Sequence, residues 1–537
     1  MRETQAKERS PFSGMRLTCG VSVRVALLAG FATLALTSCV LGPDYHRPDV
    51  PLPQTWRTPA GEAANVVNTA WWQGFKDQAL DALIQKALDA NMDLLQATEH
   101  VKQFEAKLQI AGADKYPQLD YNAGAERRRF STERPVPIGV FTQPTQNLFQ
   151  TGISAGWELD IWGKVRRANE AALADLLSAQ DTRHAVMLTV VNDVATAYFN
   201  LLAMDRELAL ASGTLDTRKK ALDLITTRYK GGQSSKLAVL QAQAAVSEVW
   251  VKIPDIEHQI TTLENALSLL LGQNPGTIIR GTDDKVQLPE VPAGVPADIL
   301  SRRPDVLAAE QNLIAANARI GVAKAEFLPT ISLTGLLGVA SSELSELTDH
   351  SATEASIGAG VLGPIFSGGR MTGDVKVAES VQRELVIKYR QSVQTALADV
   401  ENALDFNVRA TEEARRGVQQ VESLRDLVKL AQVRFEGGQS DYLEVLTAEE
   451  KLYKAEAEQV DRHRDTYLAL VSVYAAMGGG WMQAQDKLHA ATTEHAAAPK
   501  AADTSASPSG KPVTAATTAA AEPANAAANA ISQEQQQ

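Results

Sequence analysis

Two short runs, Arg228-Tyr-Lys-Gly-Gly-Gln-Ser234 and Arg434-Phe-Glu-Gly-Gly-Gln-Ser440, are nearly identical, and each leads into a leucine-rich segment, Lys236–Leu240 and Tyr442–Leu446. The register persists downstream to Leu271-Gly272 and Met477-Gly478. Upstream and in the same order, Asn91–Ala97 matches Arg303–Ala309, Lys115–Leu119 matches Phe327–Ile331, and Gly156–Trp162 matches Gly360–Phe366. An ordered series of matches means one unit written twice. The chain is therefore expected to fold as two like halves, each a helix, two strands and two long helices. The first half is 76–283, with strands at about 118–128 and 149–160 and long helices at about 165–230 and 234–271. The second is 284–481, with strands at about 329–339 and 355–363 and long helices at about 371–436 and 441–477.

The strands alternate. Phe149, Thr151, Ile153, Ala155, Trp157 and Leu159 face one way, and Gln150, Gly152, Ser154, Gly156, Glu158 and Asp160 the other. Leu119, Tyr121, Ala123 and Ala125 alternate with Gln118, Asp120, Asn122 and Glu126; Ile331, Leu333 and Leu337 alternate with Thr330, Ser332 and Thr334; the last strand carries Ile357, Ala359 and Val361. Such segments suit a membrane barrel with a wet interior, although a soluble sandwich alternates in the same way. Four strands cannot close a barrel, and lipid does not tolerate an open edge. If these strands cross a membrane, several copies share one barrel, and dimer, trimer and tetramer all satisfy that condition.

The helices carry a second signal. Met187, Val190, Val194, Ala197, Leu201, Met204, Leu208, Ala211 and Leu215 follow at steps of three and four, break at Arg218, and resume at Leu222, Ile225 and Tyr229. The second half repeats the ladder at Val393, Ala396, Val400 and Ala403, then, after a polar stretch around Asn407, at Val421, Leu424, Val428, Ala431 and Phe435. Sustained heptads predict coiled-coil packing, in helices on the order of 95 Å long at 1.5 Å per residue. The glycine pairs Gly231-Gly232 and Gly437-Gly438 are expected to end the outgoing helices and reverse the chain, and Pro254 to bend the first returning one.

At the amino terminus, Arg16 and Arg24 precede the apolar run Val25–Leu36, too short to span a bilayer as a helix, which is the layout of a secretory signal. Translation could begin at Met1 or Met15. The run ends in Leu36-Thr37-Ser38-Cys39, small residues before a cysteine, which predicts a lipoprotein signal at 1–38 and an N-acyl diglyceride lipid on Cys39. This anchor tips the balance from soluble sheet to barrel. An extended segment, 39–75, should follow, with no further spanning helix after it. Cys19 lies inside the signal, so no disulfide is expected. From 490 to 537 an Ala, Thr, Pro and Gln-rich tail has too few large apolar residues to fold. With a formal net charge of −12 and no long basic run, the chain is not expected to bind nucleic acid.

Six segments together carry a family resemblance: Cys39-Val-Leu-Gly-Pro-Asp-Tyr45, Trp71-Trp-Gln-Gly-Phe75, Trp157-Glu-Leu-Asp-Ile-Trp-Gly163, Arg302-Arg-Pro-Asp305 leading into Ala315–Gly321, Gly363–Arg370, and Gly478-Gly-Gly-Trp481. In these the chain resembles the outer-membrane factor family, the TolC-like lipoprotein channels of tripartite efflux systems. The resemblance implies a mixed α/β membrane protein: a homotrimer whose twelve strands form one barrel in outer-membrane lipid, continued by twelve helices as a periplasmic tunnel. It implies a periplasmic membrane-fusion adaptor and a proton-driven inner-membrane pump of the RND type as partners, with solute passing through a duct that supplies no energy.

In the family the tunnel closes at the tips where helix pairs turn, and the adaptor docks nearby. Carried onto this chain, the tips are Gly231, Gly232, Gly437 and Gly438 with the segments after them. Some relatives place an aspartate ring and a basic partner at the positions of Thr447 and Glu450, and this chain has neither. The expectation is that Leu443 forms an apolar constriction and that Asp441, Glu444 and Glu450 make the mouth acidic. In the barrel, Asp120, Glu126, Glu158 and Asp160 fall on the polar side, which predicts cation preference.

Motifs for catalysis are weak. Gly358-Ala-Gly-Val-Leu-Gly363 matches a dinucleotide fingerprint, but inside an alternating strand and running into Pro364. His184, His258 and His463 are scattered without metal-ligand spacing, and no nucleophile elbow or phosphate loop is present. A non-enzymatic chain without a metal is expected. The rival readings are a type I protein-secretion duct and a structural coiled-coil envelope lipoprotein. The latter has no use for duplicated amphipathic strand pairs.

Overall fold

The structure, a computed structural model, describes residues 40–58, 70–131, 145–282, 286–289, 291, 296 and 299–479. Cys39, the signal, Trp481 and the tail lie outside them. After a 3₁₀ turn at Trp71–Phe75, α1 spans Gln78–Ala90 and α2 Met92–Ala113. The strands β1 (Gln118–Arg129) and β2 (Thr145–Leu159) follow, then α3 (Lys164–Lys230) and α4 (Lys236–Leu270). A single turn, α5 (Ile299–Arg302), leads to α6 (Pro304–Ala325), β3 (Thr330–Ser341), β4 (Thr353–Leu362), α7 (Arg370–Glu436) and α8 (Tyr442–Ala476).

Local chemistry accounts for the boundaries. Asp77 caps α1 by accepting from the amides of Ala79 and Leu80, and Asn91 caps α2 by accepting from those of Asp93 and Leu94. Ser235 accepts from the Ala238 amide, so α4 starts just after it. The helix runs on through Pro254. Four helices end in the same turn: Gly232, Gly272, Gly438 and Gly478 adopt positive φ, and the next residue's amide reaches back to Arg228, Ser268, Arg434 and Tyr474 respectively. This is the Schellman arrangement, which satisfies the last carbonyls of a helix.

The four strands form one antiparallel sheet in the order β1-β2-β3-β4. Although α3, α4 and α6 intervene in sequence, β2 and β3 are neighbours, with Gly156 opposite Thr334 and Leu159 opposite Ile331.

The core lies among the helices. Phe199 stacks on Tyr467 at 4.8 Å and Trp71 on Tyr474 at 5.1 Å, beside buried Leu80, Ile84, Val194 and Leu201. Against the expectation of no further spanning helix, α3 is long and apolar enough by composition to cross a bilayer. Its apolar residues instead fill this core, where Val190, Val194, Tyr198 and Leu201 are buried. Of the predicted ladder, Val190, Val194, Leu201, Met204, Ala211, Leu215 and Ile225 are buried in α3, as are Val393, Ala396, Val400, Ala403, Val421, Val428 and Ala431 in α7.

Candidate functional site: a two-faced sheet and paired helix tips

The strand register sorts the sheet into two faces. Leu119, Tyr121, Ile153, Trp157, Leu333, Leu337, Ile357 and Val361 share one; Asp120, Glu126, Gln150, Ser154, Glu158, Ser332 and Thr334 share the other. In the single chain the apolar face is bare, with Tyr121 89% and Ile357 97% exposed. No strand covers the outer edge of β1 or of β4 among the described residues. A bare apolar face this broad, bounded by two unpaired edges, is not a stable surface in water. It fits lipid on that face and further strands on both edges.

Of the four expected lumen carboxylates, Asp120, Glu126 and Glu158 lie on the polar face. Two have cationic neighbours: Arg128 is 2.8 Å from Glu126, and Lys164 is 3.8 Å from Glu158. Asp160 is elsewhere. It lies just past the last paired residue of β2, and its carboxylate accepts from the amides of Val165 (3.0 Å) and Arg166 (2.9 Å) and from Nε of Arg166 (3.1 Å). It therefore caps α3, whose first amides have no partner within the helix. The fourth carboxylate on the polar face is Glu354, opposite Gly338. The sequence expectation begins the last strand at 355 and so misses it.

At the other end of the long helices, the two turns are built alike. The amide of Gln233 donates to the Arg228 carbonyl at 2.8 Å and that of Gln439 to the Arg434 carbonyl at 2.8 Å. Gly232 and Gly438 take φ of 74° and 71°, and Gly231 and Gly437 close the last helical turns. The tips are joined by an apolar cluster: Tyr442, Val445 and Ala448 of α8, Ile225 of α3, Ala238 and Val239 of α4, and Val428 and Ala431 of α7. Burial pushes the Tyr442 hydroxyl up to about 12. A cleft of about 590 Å³ lies between the tips, lined by Arg228, Ser235, Phe435, Ser440, Asp441 and Leu443 among others.

The proposed gate residues occupy the stripe opposite that cluster. Leu443 is 54% exposed, and Asp441, Glu444, Thr447 and Glu450 are exposed too. The Thr447 hydroxyl donates to the Leu443 carbonyl at 2.8 Å. Glu444 is 3.3 Å from Arg434, so one of the three expected acids at the mouth has a cationic partner. Asp441 stands at the N-cap of α8 without a side-chain bond to its amides.

Other residues, whose roles sequence reasoning did not reach, hold the frame. Arg218, at the break in the heptad ladder, is buried; its Nη1 donates to the Ala245 carbonyl at 2.7 Å and to Glu248 at 3.0 Å. Arg280 bridges Asp205 and Glu264, and bonding to Asp205 foremost holds its pKa above the usual guanidinium range. The Tyr198 hydroxyl donates to Asp77 at 2.5 Å and accepts from the Gly281 amide at 3.2 Å. Among the described residues, no group of three or more His, Cys, Asp or Glu could hold a metal ion.

The chain matches the family model described as outer membrane efflux protein over residues 83–273 and 295–479. It is 32% identical over 465 residues to the cation efflux system protein CusC of Escherichia coli O157:H7, covering 85% of this chain and 99% of that one. It is 33% identical over 467 residues to the solvent efflux pump outer membrane protein SrpC of Pseudomonas putida, covering 85% and 98%. Among solved structures, CusC superposes with a TM-score of 0.74 at 30% identity, covering 82% of this chain and 100% of that one. The open state of the Neisseria gonorrhoeae MtrE outer membrane channel superposes with a TM-score of 0.75 at 27% identity, covering 82% and 98%.

Proposed function

This chain belongs to the outer membrane efflux protein family, and from that premise we propose that three copies form the exit duct of a tripartite efflux pump. The observation that carries the reading is the four-stranded sheet, apolar on one face and polar on the other, with both edges bare. In the trimer β1 of each copy pairs with β4 of the next, giving twelve strands with no edge, as lipid requires. The helices α3, α4, α7 and α8 of the three copies continue the barrel as a twelve-helix tunnel into the periplasm. An internal duplication accounts for this economy: α3 and α7 each have 67 residues, and α4 and α8 each have 35.

The duct conducts passively and catalyses nothing. A periplasmic adaptor docks along the helix pairs near the tips, and an RND-type inner-membrane pump supplies the energy. The lipid on Cys39 adds an anchor beside the barrel. One relative is named for cations and another for solvents, so ducts of this kind serve unlike small molecules and the cargo is chosen upstream. The tips form the gate, with Leu443 as the apolar constriction. The lumen, ringed by Asp120, Glu126, Glu158 and Glu354, prefers cations.

The test is a planar-bilayer recording of the purified, lipidated protein together with its oligomer mass in detergent. A trimer giving small, mostly closed, cation-favouring currents is expected, and Leu443→Ala should raise the open conductance. A monomer without conductance refutes the duct, equal permeability to cations and anions refutes the lumen assignment, and an unchanged Leu443→Ala current refutes the constriction.

A further inference from the structure

Charge is segregated across the sheet. All four of its acids, Asp120, Glu126, Glu158 and Glu354, lie on the polar face, together with Arg128. Among the described residues, the only charged ones on the apolar face are Arg127 and Arg129, opposite Asn147 and Thr145. Both are exposed, and among the described residues neither has an ionic partner. An unpaired arginine is costly on a lipid-facing surface near the midplane and cheap only near its edge, so its height on the barrel matters.

The register supplies that height. The outward apolar rows run from Leu159–Ile331–Val361 up to Ala125–Phe149–Ser341. From Leu159 to Phe149, at about 3.4 Å per residue and a tilt of about 40°, the band is about 26 Å tall, close to the ~25 Å apolar belt of outer-membrane barrels. Arg127 lies one outward row above it and Arg129 two, roughly 5 and 10 Å higher. The helices join the sheet at the opposite end, at Gln118 and Leu159. If the sheet is a barrel wall with its helices in the periplasm, these arginines stand at the headgroup level of the outer leaflet.

We infer that Arg127 and Arg129 form a docking site for the phosphate groups of outer-leaflet lipid, one site per copy and three around the barrel. The proposal rests on the duct reading above. Charge complementarity favours this occupant: two guanidiniums with ten N–H donors between them, and no acid on their face among the described residues, match a phosphorylated headgroup. Asn147 and Thr145 border the pair with neutral polar groups.

The experiment is native mass spectrometry of the lipidated trimer in detergent, titrated with bisphosphorylated lipid A or with the same lipid stripped of phosphate. The wild type should retain the phosphorylated lipid preferentially. The double variant Arg127→Gln/Arg129→Gln should bind it on the order of ten- to thirtyfold more weakly, while Arg128→Gln, on the opposite face, should bind it normally. Arg127→Lys/Arg129→Lys should keep most of the affinity. Equal wild-type affinity for the two lipids, or undiminished binding by the double Gln variant, overturns the site. If the double Gln variant does not assemble, the wild-type comparison of the two lipids decides. A trimer that conducts yet ignores phosphate overturns the site alone; a wild type that neither assembles nor conducts overturns the duct reading beneath it.

Discussion

Arg47 lays its guanidinium against the carboxylate of Glu310, Nε on Oε1 at 2.7 Å and Nη2 on Oε2 at 2.6 Å. The Tyr45 hydroxyl donates to the same Oε1 at 3.0 Å, and burial foremost, with Glu310 next, pushes its pKa well above the usual phenol range. Asn317 donates to the Pro43 carbonyl at 2.8 Å, and a Cβ on Gly42 would meet the Gly321 backbone at 2.5 Å. The segment after Cys39 is thus strapped onto α6. Glu310→Ala is expected to cost about 2–3 kcal/mol, as for lost hydrogen bonds to a charged group, and Glu310→Gln less, because it keeps the shape and an acceptor. The check is thermal unfolding alongside chymotryptic cleavage after Tyr45, which should quicken most in the alanine variant. Unchanged cleavage there removes the strap from the account.

The Asp160 carboxylate serves α3 rather than the lumen, so stability and selectivity should separate. Asp160→Ala is expected to cost about 1–2 kcal/mol, the usual loss of an N-cap, while leaving the cation-to-anion permeability ratio unchanged. Glu158→Gln and Glu354→Gln should lower that ratio with little effect on unfolding. Reversal potentials under a salt gradient decide the point. A shifted ratio in the Asp160 variant returns it to the lumen.

The same helix-ending turn should tolerate substitution very differently at the tip of one hairpin and at the base of the other. At Gly438 φ is +71° and nothing stands within 4 Å of an added Cβ, so Gly438→Ala should cost only the left-handed strain, about 1–2 kcal/mol. At Gly272 φ is +66° and the added Cβ would lie 2.1 Å from the Ala90 carbonyl oxygen. Backbone has to move there, so Gly272→Ala should unfold well below Gly438→Ala in a thermal melt. Equal losses would show that strain alone sets the cost at both positions.

What was legible in the sequence had a period. Leu119, Tyr121, Ile153 and Leu333 declare the strands because a two-faced sheet alternates residue by residue. Val190, Val194 and Leu201 declare the coiled helices because one stripe is buried. Even the break at Arg218 is legible, although its cause is not: Ala245 and Glu248, which take its guanidinium, lie on another helix. Alternation also runs past a strand's end without marking it. Asp160 keeps the phase of the lumen residues, yet the last ladder pair in β2 is Leu159 with Ile331. Glu354 shows the converse, since Thr353 already pairs with Val339. Arg47 and Glu310 stand 263 positions apart, and no local pattern announces such a bond.

Near the tips, Glu449 of α8 makes stability depend on pH. Burial raises its pKa, while a 3.5 Å bond from Gln432 of α7 and the charge of Arg218 of α3 pull it part of the way back. Glu248 of α4 is 3.0 Å from Arg218 and takes up part of that charge; Tyr442 and Tyr453 stay neutral, their hydroxyls pushed up by burial. Because the folded pKa of Glu449 is raised above its unfolded value, the protonated form is the one the fold favours. That contribution is fully present below the unfolded range, near pH 4.3, and is lost as pH rises through the folded value. Glu449→Gln keeps the shape and remains neutral at every pH. Its melting temperature should match the wild type near pH 4 and exceed it at pH 7.5, with the gap opening between. A gap of the same size at both pH values would mean that the substitution acts through packing and not through the proton.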